Sequence, residues 1–504
     1  MKKATKYLIG SLFMGVATLS LSSCSLDEYN PSGETADEVF KTPEGMENLV
    51  NQMYYNFRWK YYGREDPCLY MEGSADIWQN IGSNYEYGKQ LTRCVDLQGD
   101  RGQIANVWNR VYDNINDANA IIGRINDVVD LKASTRDDFE GEARFMRAYC
   151  YWWLVEFFGD IEMRTQETNT ATFTAYRTDR KTIYDEVIIP DAKRAAELLP
   201  VTPYNGNVGR STKKAAKALY ARVLLTRAQY EAAGSQEQKN FYEQALNAAL
   251  DVVNNKAAYG IKLYNTYDEI WQAKNNKNNT EFLWVTTFSS NSALDADSKP
   301  NRLYRYFSPK LVNNAGIRNG ADTWEYPSEG TLLMPTYYFL NLWEDWDIRY
   351  DVLFQEDFKE NATQAFKWNA AKANRYLRPD LVGKKINVGD IALKFTKQHV
   401  SNAEKLSKTY AIIDIDDVFE TENVNSYGGA RIRNYKDPAN TPVSGQSYST
   451  ADDVDNNYTT QYIASSFPRF MKYRIWDRDP NGTFLLASPS GQFGFADVPV
   501  MRYA

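Results

Sequence analysis

Between residues 103 and 254, apolar positions recur at spacings of three and four. Ile104, Val107, Trp108, Val111, Tyr112, Ile115, Ala118, Ile122 and Ile125 share one face of a helix over 103–127. A second helix, capped by Ser134 or Thr135, runs through Ala143, Met146, Cys150, Trp153, Leu154 and Phe157 until Gly159 stops it. Thr182 with Asp185 reads as a capping box for a helix from Ile183 to Leu199, ended by Pro200. Ser211 opens a fourth helix that reaches Ala233, with Gly234 as its cap, and a fifth covers 236–254. The short loops between them imply antiparallel neighbours. Alanines 215, 216, 218 and 221 allow close backbone approach.

From Glu281 the pattern changes. Glu281–Phe288 reads as a strand, and long polar loops follow, with apolar islands at 394–395, 411–415, 470–476 and 484–486. The paired helices resemble tetratricopeptide hairpins, although the strict repeat of about 34 residues is not visible. The expected fold is mainly α. Tetratricopeptide-like pairs (an α-α superhelix) fill residues 24–280, and long loops and short strands decorate them over 281–504, as one unit.

Composition narrows the chemistry. The chain has one histidine, His399, four cysteines (Cys24, Cys68, Cys94, Cys150) and no C-x-x-C pair, which argues against a zinc protein. A histidine-dependent triad would rest on His399 alone, and no nucleophile elbow is visible. The formal charge is −7 without a long basic run, so nucleic acid is not an expected partner. No catalytic residue and no metal site are assigned. Asp453, Asp455 and Asn457 match a calcium loop only in part, lacking the turn Gly and the distal Glu, so no cofactor is expected. Asp414, Asp416 and Asp417 read as a solvated loop.

The first residues speak to location. Lys2, Lys3 and Lys6 precede an apolar stretch from Tyr7 to Leu21, too short to span a bilayer and laid out as a signal peptide over 1–23. Leu21-Ser22-Ser23-Cys24 resembles a bacterial lipobox with Cys24 as the lipidated residue. Ser25-Leu26-Asp27-Glu28 resembles the export signal of Bacteroidetes surface lipoproteins. Several acyl chains anchor stably, where one is marginal. Cys150 lies on an apolar helical face and reads as a buried free thiol, which leaves Cys68 and Cys94 as the pair a bridge could join.

Several segments together resemble the SusD/RagB family of nutrient-binding outer-membrane lipoproteins. They are Trp108 to Asn119, Gly141-Glu142-Ala143-Arg144-Phe145-Met146-Arg147 through Phe157-Phe158-Gly159-Asp160, Ile183-Tyr184-Asp185-Glu186 through Leu199-Pro200, and Gly209-Arg210-Ser211 to Val223. Leu333-Met334-Pro335-Thr336 and Trp346-Asp347-Ile348-Arg349 add to them. These fingerprints read as scaffold, with Glu142, Arg144 and Arg147 on the polar face or bridging helices by ion pairs. The resemblance implies a glycan-binding protein facing the cell surface, lipid-anchored in the outer membrane, that delivers oligosaccharide to a SusC-like TonB-dependent transporter. The family's Asp-x-Pro…Arg-Tyr-Ala segment, here Asp497 to Ala504, is usually followed by further helices. The expectation is a C-terminally truncated or naturally shortened chain with apolar surface left uncovered on helices 103–254.

Sugar rings expose an apolar C–H face and a polar rim, so loop aromatics beside Asp, Asn and Arg are the candidate ligand residues. The first cluster is Asp76, Trp78 and Asn80 with Tyr85 and Tyr87. The second is Trp324 and Tyr326, and the third is Trp346 beside Trp343. Tyr54, Tyr55, Phe57, Trp59, Tyr61 and Tyr62 read as core or transporter-facing surface. A peptide-binding member of the same family and a surface glycoside hydrolase are the competing readings.

Overall fold

The computed structural model describes residues 35–58, 72–73, 75–80, 97–99, 102–170, 173–291, 301–309, 311, 317, 333–361, 364–374, 376, 378–419, 466–474, 485 and 494–503. The signal segment, Cys24, Cys68, Cys94, Tyr85, Tyr87, Trp324, Tyr326 and the Asp453–Asn457 run lie outside the described residues.

Six helical segments follow one another. α1 (Pro43–Phe57) starts at Thr42, whose hydroxyl accepts from Gly45 N, with Pro43 in the first turn. α2 spans Gly102–Arg124. α3 spans Ala133–Phe158 and stops at Gly159, whose φ of 73° needs no Cβ. Its N-cap is Lys132, so Ser134 and Thr135 lie inside the first turn and do not cap it.

α4 is composite: an α-turn over Arg180–Ile183, a π-turn over Tyr184–Ile188 and an α-helix over Ile189–Leu198. It begins before Ile183 because the Asp179 carboxylate accepts from Thr182 N at 3.2 Å. The expected Thr182–Asp185 capping box is therefore not the start. Pro190 has no N–H to give to an i−4 carbonyl, and just before it Ile189 N bonds five residues back to Tyr184 O. α5 (Lys213–Ala228) starts after Thr212 instead of Ser211 and ends earlier than Ala233. Gly234 (φ 78°) turns the connector, and Ser235 caps α6 (Gln236–Asn254).

Each helix packs on the next: α1 on α2, α2 on α3, α3 on α4, α4 on α5, α5 on α6. This nearest-neighbour stacking is the expected tetratricopeptide-like pairing, and it makes the helical half quasi-one-dimensional. Cys150 is buried inside it. The stack stops at α6, which buries Ala245 and Val252 against α5. Tyr242, Leu246, Leu250 and Val253 remain exposed along its outer side, and Leu225 of α5 is exposed as well.

Ion pairs cross between helices and are buried. The Arg147 guanidinium (α3) donates to both Asp191 oxygens (α4) at 2.6 and 3.0 Å and to Asn119 Oδ1 (α2) at 2.7 Å. Arg144 adds a 2.8 Å bond to Asp191. Arg210 clasps Glu142 at 3.0 and 3.3 Å and Asn51 at 2.5 Å. The fingerprint charges thus bridge elements from inside, where an isolated charge is expensive, and do not form a solvated face.

The second half closes against this stack through short strands. β2 (Phe282–Thr286) pairs antiparallel with the last strand, β7 (Val498–Arg502). Trp284 on β2 stacks on Phe57 (centroids 4.8 Å apart, interplanar angle 27°), meets Phe145 edge-on at 4.7 Å and donates Nε1–H to Gly209 O at 3.0 Å. Gly209 has no room for a side chain, since a Cβ there would lie 2.8 Å from Thr287 Oγ1. β1 (Trp78–Asn80) pairs with β3 (Leu333–Pro335). β4 (Asp357–Lys359), β5 (Ile391–Phe395) and β6 (Ala411–Ile413) form a three-stranded sheet, antiparallel between β4 and β5 and parallel between β5 and β6. A hydrophobic core cluster runs from Met46 to Met501.

Asp414 and Asp417 are buried, contrary to the solvated loop expected there. Lys405 Nζ lies 2.9 Å from the first and 2.8 Å from the second. Asp416 pairs with His399 Nδ1 at 2.8 Å on the surface. No described helix is long and apolar enough to cross a membrane.

Candidate functional site

The β1–β3 pairing sets Trp78 of the first candidate cluster beside the segment that leads to Trp343 and Trp346 of the third. Trp78 lies opposite Pro335, Gln79 opposite Met334 and Asn80 opposite Leu333. Beyond β3, Thr336 N donates to Ile77 O at 3.0 Å, and the Thr336 side chain caps the short helix α7 (Tyr337–Asn341) through Phe339 N. Asp76 itself is exposed. The side chain of Asn80 lies outside the described set.

Trp78 is buried, not exposed as a ring for stacking is expected to be. It is 3% exposed and enclosed edge-to-face by Phe307, Phe339 and Phe470 at 4.7, 5.2 and 5.0 Å. Its indole N–H donates to Glu72 at 3.1 Å, and burial pushes that carboxyl above its ordinary range against the pull of Lys472. The ring offers no open face to a sugar. It is the floor under this surface. Trp343 belongs to the same floor, half-buried among Phe339, Phe354 and Tyr350 at 5.7–6.1 Å.

Trp346 is the opposite case. It is 78% exposed, and Tyr337 (46%), Tyr338 (57%) and Ile348 (72%) are exposed around it in sequence. Its neighbours Asp345 and Asp347 line a cleft of about 390 Å³, together with Tyr350, Glu356, Lys394, Lys397 and Gln398. The polar groups of this cleft are held in place. Asp347 is clamped by Arg349, Nε at 2.8 Å and Nη2 at 2.5 Å, which keeps its carboxyl below the usual range. Glu356 accepts from Tyr350 and Thr396 at 2.8 Å each. Lys397 Nζ donates to Trp343 O at 2.6 Å and sits 5.0 Å over the Tyr350 ring. Burial works against the charge on Lys394, yet Glu356 and Asp357 outweigh it and hold its pKa above the ordinary value. Fixed donors and acceptors, with an exposed aromatic residue between two of the lining acids in sequence, suit a polar ligand with flat apolar faces.

Sequence reasoning named Trp346 but missed Tyr337 and Tyr338, whose signal was a tandem Tyr pair directly after the capping Thr336. It also missed Lys394 and Lys397, which lie far from Trp346 in sequence and reach the cleft through β5. Among the described residues no group of three or more His, Cys, Asp or Glu side chains could hold a metal ion.

Residues 26–225 match the family model SusD-like_3, described as starch-binding and associating with the outer membrane. Over these residues the chain is similar to the SusD-like family. It is 25% identical over 344 residues to SusD-like protein P2 of Formosa agariphila, covering 66% of this chain and 61% of that protein. The chain therefore spans about three-fifths of that relative's length. Among solved structures it is similar to a SusD superfamily protein from Parabacteroides distasonis, with a TM-score of 0.52 at 22% identity, over 69% of this chain and 68% of that one. It is also similar to a laminarin-binding SusD-like protein, with a TM-score of 0.50 at 20% identity, over 62% and 66% of the two chains. The helical stack and its short strands are thus the SusD-type fold.

Proposed function

We propose that this SusD-like chain captures an oligosaccharide at the cell surface and hands it to a SusC-like TonB-dependent transporter, anchored to the outer membrane through Cys24. Trp346 is the stacking platform, and the cleft flanked by Asp345 and Asp347 binds the sugar hydroxyls. The observation that carries this reading is the exposed Trp346, whose sequence neighbours Asp345 and Asp347 line a pre-organised polar cleft, in a chain that matches over residues 26–225 a family model described as starch-binding. The function requires no catalysis.

A ring half-covered by one sugar contributes roughly 1–2 kcal/mol at about 25 cal/mol per Å². Association entropy consumes several kcal/mol, so affinity falls in about the micromolar to millimolar range. The test is calorimetric titration with oligosaccharides from starch and from laminarin, for wild type and Trp346→Ala. Binding that weakens in the variant supports the reading. Binding of peptides but of neither glycan would replace it with the peptide-binding alternative, and release of shortened sugars would replace it with a hydrolase.

A further inference from the structure

We infer that the groove between α1, α2 and the 162–168 strap is a second binding site, for an uncharged sugar segment. It is a cavity of about 700 Å³ and shares no residue with the cleft beside Trp346. The inference rests on the glycan reading above for its ligand class, but not on the Trp346 cleft.

Two rings one helical turn apart form a corner in this groove. Trp108 and Tyr112 have centroids 5.0 Å apart at an interplanar angle of 48°. Both are partly exposed and both are fixed. Trp108 is braced edge-to-face by Phe158 at 4.9 Å, and the Tyr112 hydroxyl donates to Glu162 O at 2.7 Å. Neither ring has to be ordered when a ligand arrives, which lowers the cost of binding.

The strap is pinned to α2 at several points. Asn119 Nδ2 donates to Arg164 O and Gln166 O at 3.0 Å each, and Thr168 N donates to Asn116 Oδ1 at 2.7 Å. Asn56 of α1 donates to Asp117 at 3.0 Å. The groove is therefore a built feature held from three segments, not a gap under a loose loop.

Its chemistry selects the ligand. Three carboxylates (Asp113, Asp117, Glu162) face one guanidinium (Arg164) among the lining groups, so an anionic ligand is repelled. The rim carries amide and guanidinium donors as well as acceptors, from Gln52, Asn56, Asn116 and Arg164. Mixed donors and acceptors beside aromatic faces match the hydroxyls and C–H faces of a neutral sugar, whereas the ammonium or guanidinium head of a Lys or Arg side chain would use the acceptors alone.

The experiment uses the full chain and short oligosaccharides of starch and of laminarin, with calorimetric stoichiometry and crystals soaked in the same sugars. Two variants address the groove. Trp108→Ala removes a platform, and Thr168→Trp fills the groove from the exposed strap without removing a side-chain contact. Circular dichroism confirms that each is folded. Two sugars per wild-type chain are expected, one each in Trp346→Ala and in Thr168→Trp, and none in the double variant, each loss being at least about tenfold in affinity. If Thr168→Trp loses a sugar while Trp346→Ala keeps both, the groove stands and the cleft reading fails. One sugar per wild-type chain that Thr168→Trp leaves unchanged overturns the groove. A groove that takes a Lys-rich peptide but neither glycan overturns its ligand class, and a wild-type chain that binds neither glycan overturns both sites.

Discussion

The Thr336 hydroxyl donates a 2.7 Å hydrogen bond to the carbonyl of Asp76, 260 residues earlier in the chain. The same oxygen accepts from Phe339 N at 3.1 Å and so caps the helix that leads to Trp346. One buried side chain thereby joins the loop before β1 to the segment carrying the exposed aromatics. Replacing Thr336 by Ala removes a cap, worth about 1 kcal/mol, and a hydrogen bond of similar size. The expected loss is about 2 kcal/mol in urea denaturation, and Thr336→Ser, which keeps the hydroxyl, should recover most of it.

Trp78 and Trp346 should respond in opposite ways to truncation. Trp78→Ala empties an aromatic cage and is expected to cost about 3–5 kcal/mol of stability. Trp346→Ala touches little protein and should leave the melting temperature unchanged while weakening oligosaccharide binding about tenfold. Paired thermal melts and titrations on the two variants separate floor from platform. A stable Trp78→Ala variant that has lost binding would reverse the assignment.

Asp191 takes charge from two guanidinium groups, Arg144 at 2.8 Å and Arg147 at 2.6 Å, with its side chain 2% exposed. Asp191→Ala leaves Arg147 buried without its counter-ion, and the expected cost is about 3–5 kcal/mol. A loss below 1 kcal/mol in chemical denaturation would mean that the interior there admits water.

Glu142 supplies a pH dependence. Burial pushes its carboxyl from the ordinary value of 4.5 up to about 7, against the opposing pull of Arg210. The folded state therefore holds the proton more tightly than the unfolded state. The associated stability is complete below about pH 4.5 and is lost as the pH rises to about 7. Glu142→Gln does not titrate, so the wild-type melting temperature relative to that variant should fall across this window and level off above it. A difference that stays constant from pH 4.5 to 8 would count against the raised value.

Local patterning carried the helical half well. The fifth expected helix coincides with α6, because Ser235 and the apolar spacing from Phe241 to Val252 are both local signals. The errors sit where a distant or backbone-level effect decides. The start of α4 went to Asp179 because its carboxylate, four residues before the expected start at Ile183, takes the first free N–H. Trp78 read as a loop ring because nothing near it in sequence announces β3, Phe307 or Phe470, which cover it. Asp414 and Asp417 read as solvated because Lys405 reaches them from a separate short helix, Asn402–Ser407. For the candidate site, Trp346 was legible as an aromatic residue between two acids. The cleft beside it was not, since its lysines come from β5 and the turn after it.

The π-turn in α4 sets a phase that the rest of the helix depends on. A π-turn holds one residue more than the α-turn it replaces, and one residue corresponds to about 100° of rotation. Converting this turn to an α-turn without changing the chain length would rotate everything downstream by roughly that angle relative to Ile183. Asp191 would then swing away from Arg144 and Arg147, and Ala192 and Ala195 would leave the seam against α3 and α5. Removing one residue between Tyr184 and Ile188 as the turn becomes α keeps the downstream face in phase. The irregular turn thus works as a spacer that absorbs one extra residue, and a one-residue deletion there should cost less stability than a one-residue deletion later in α4, where no bulge compensates.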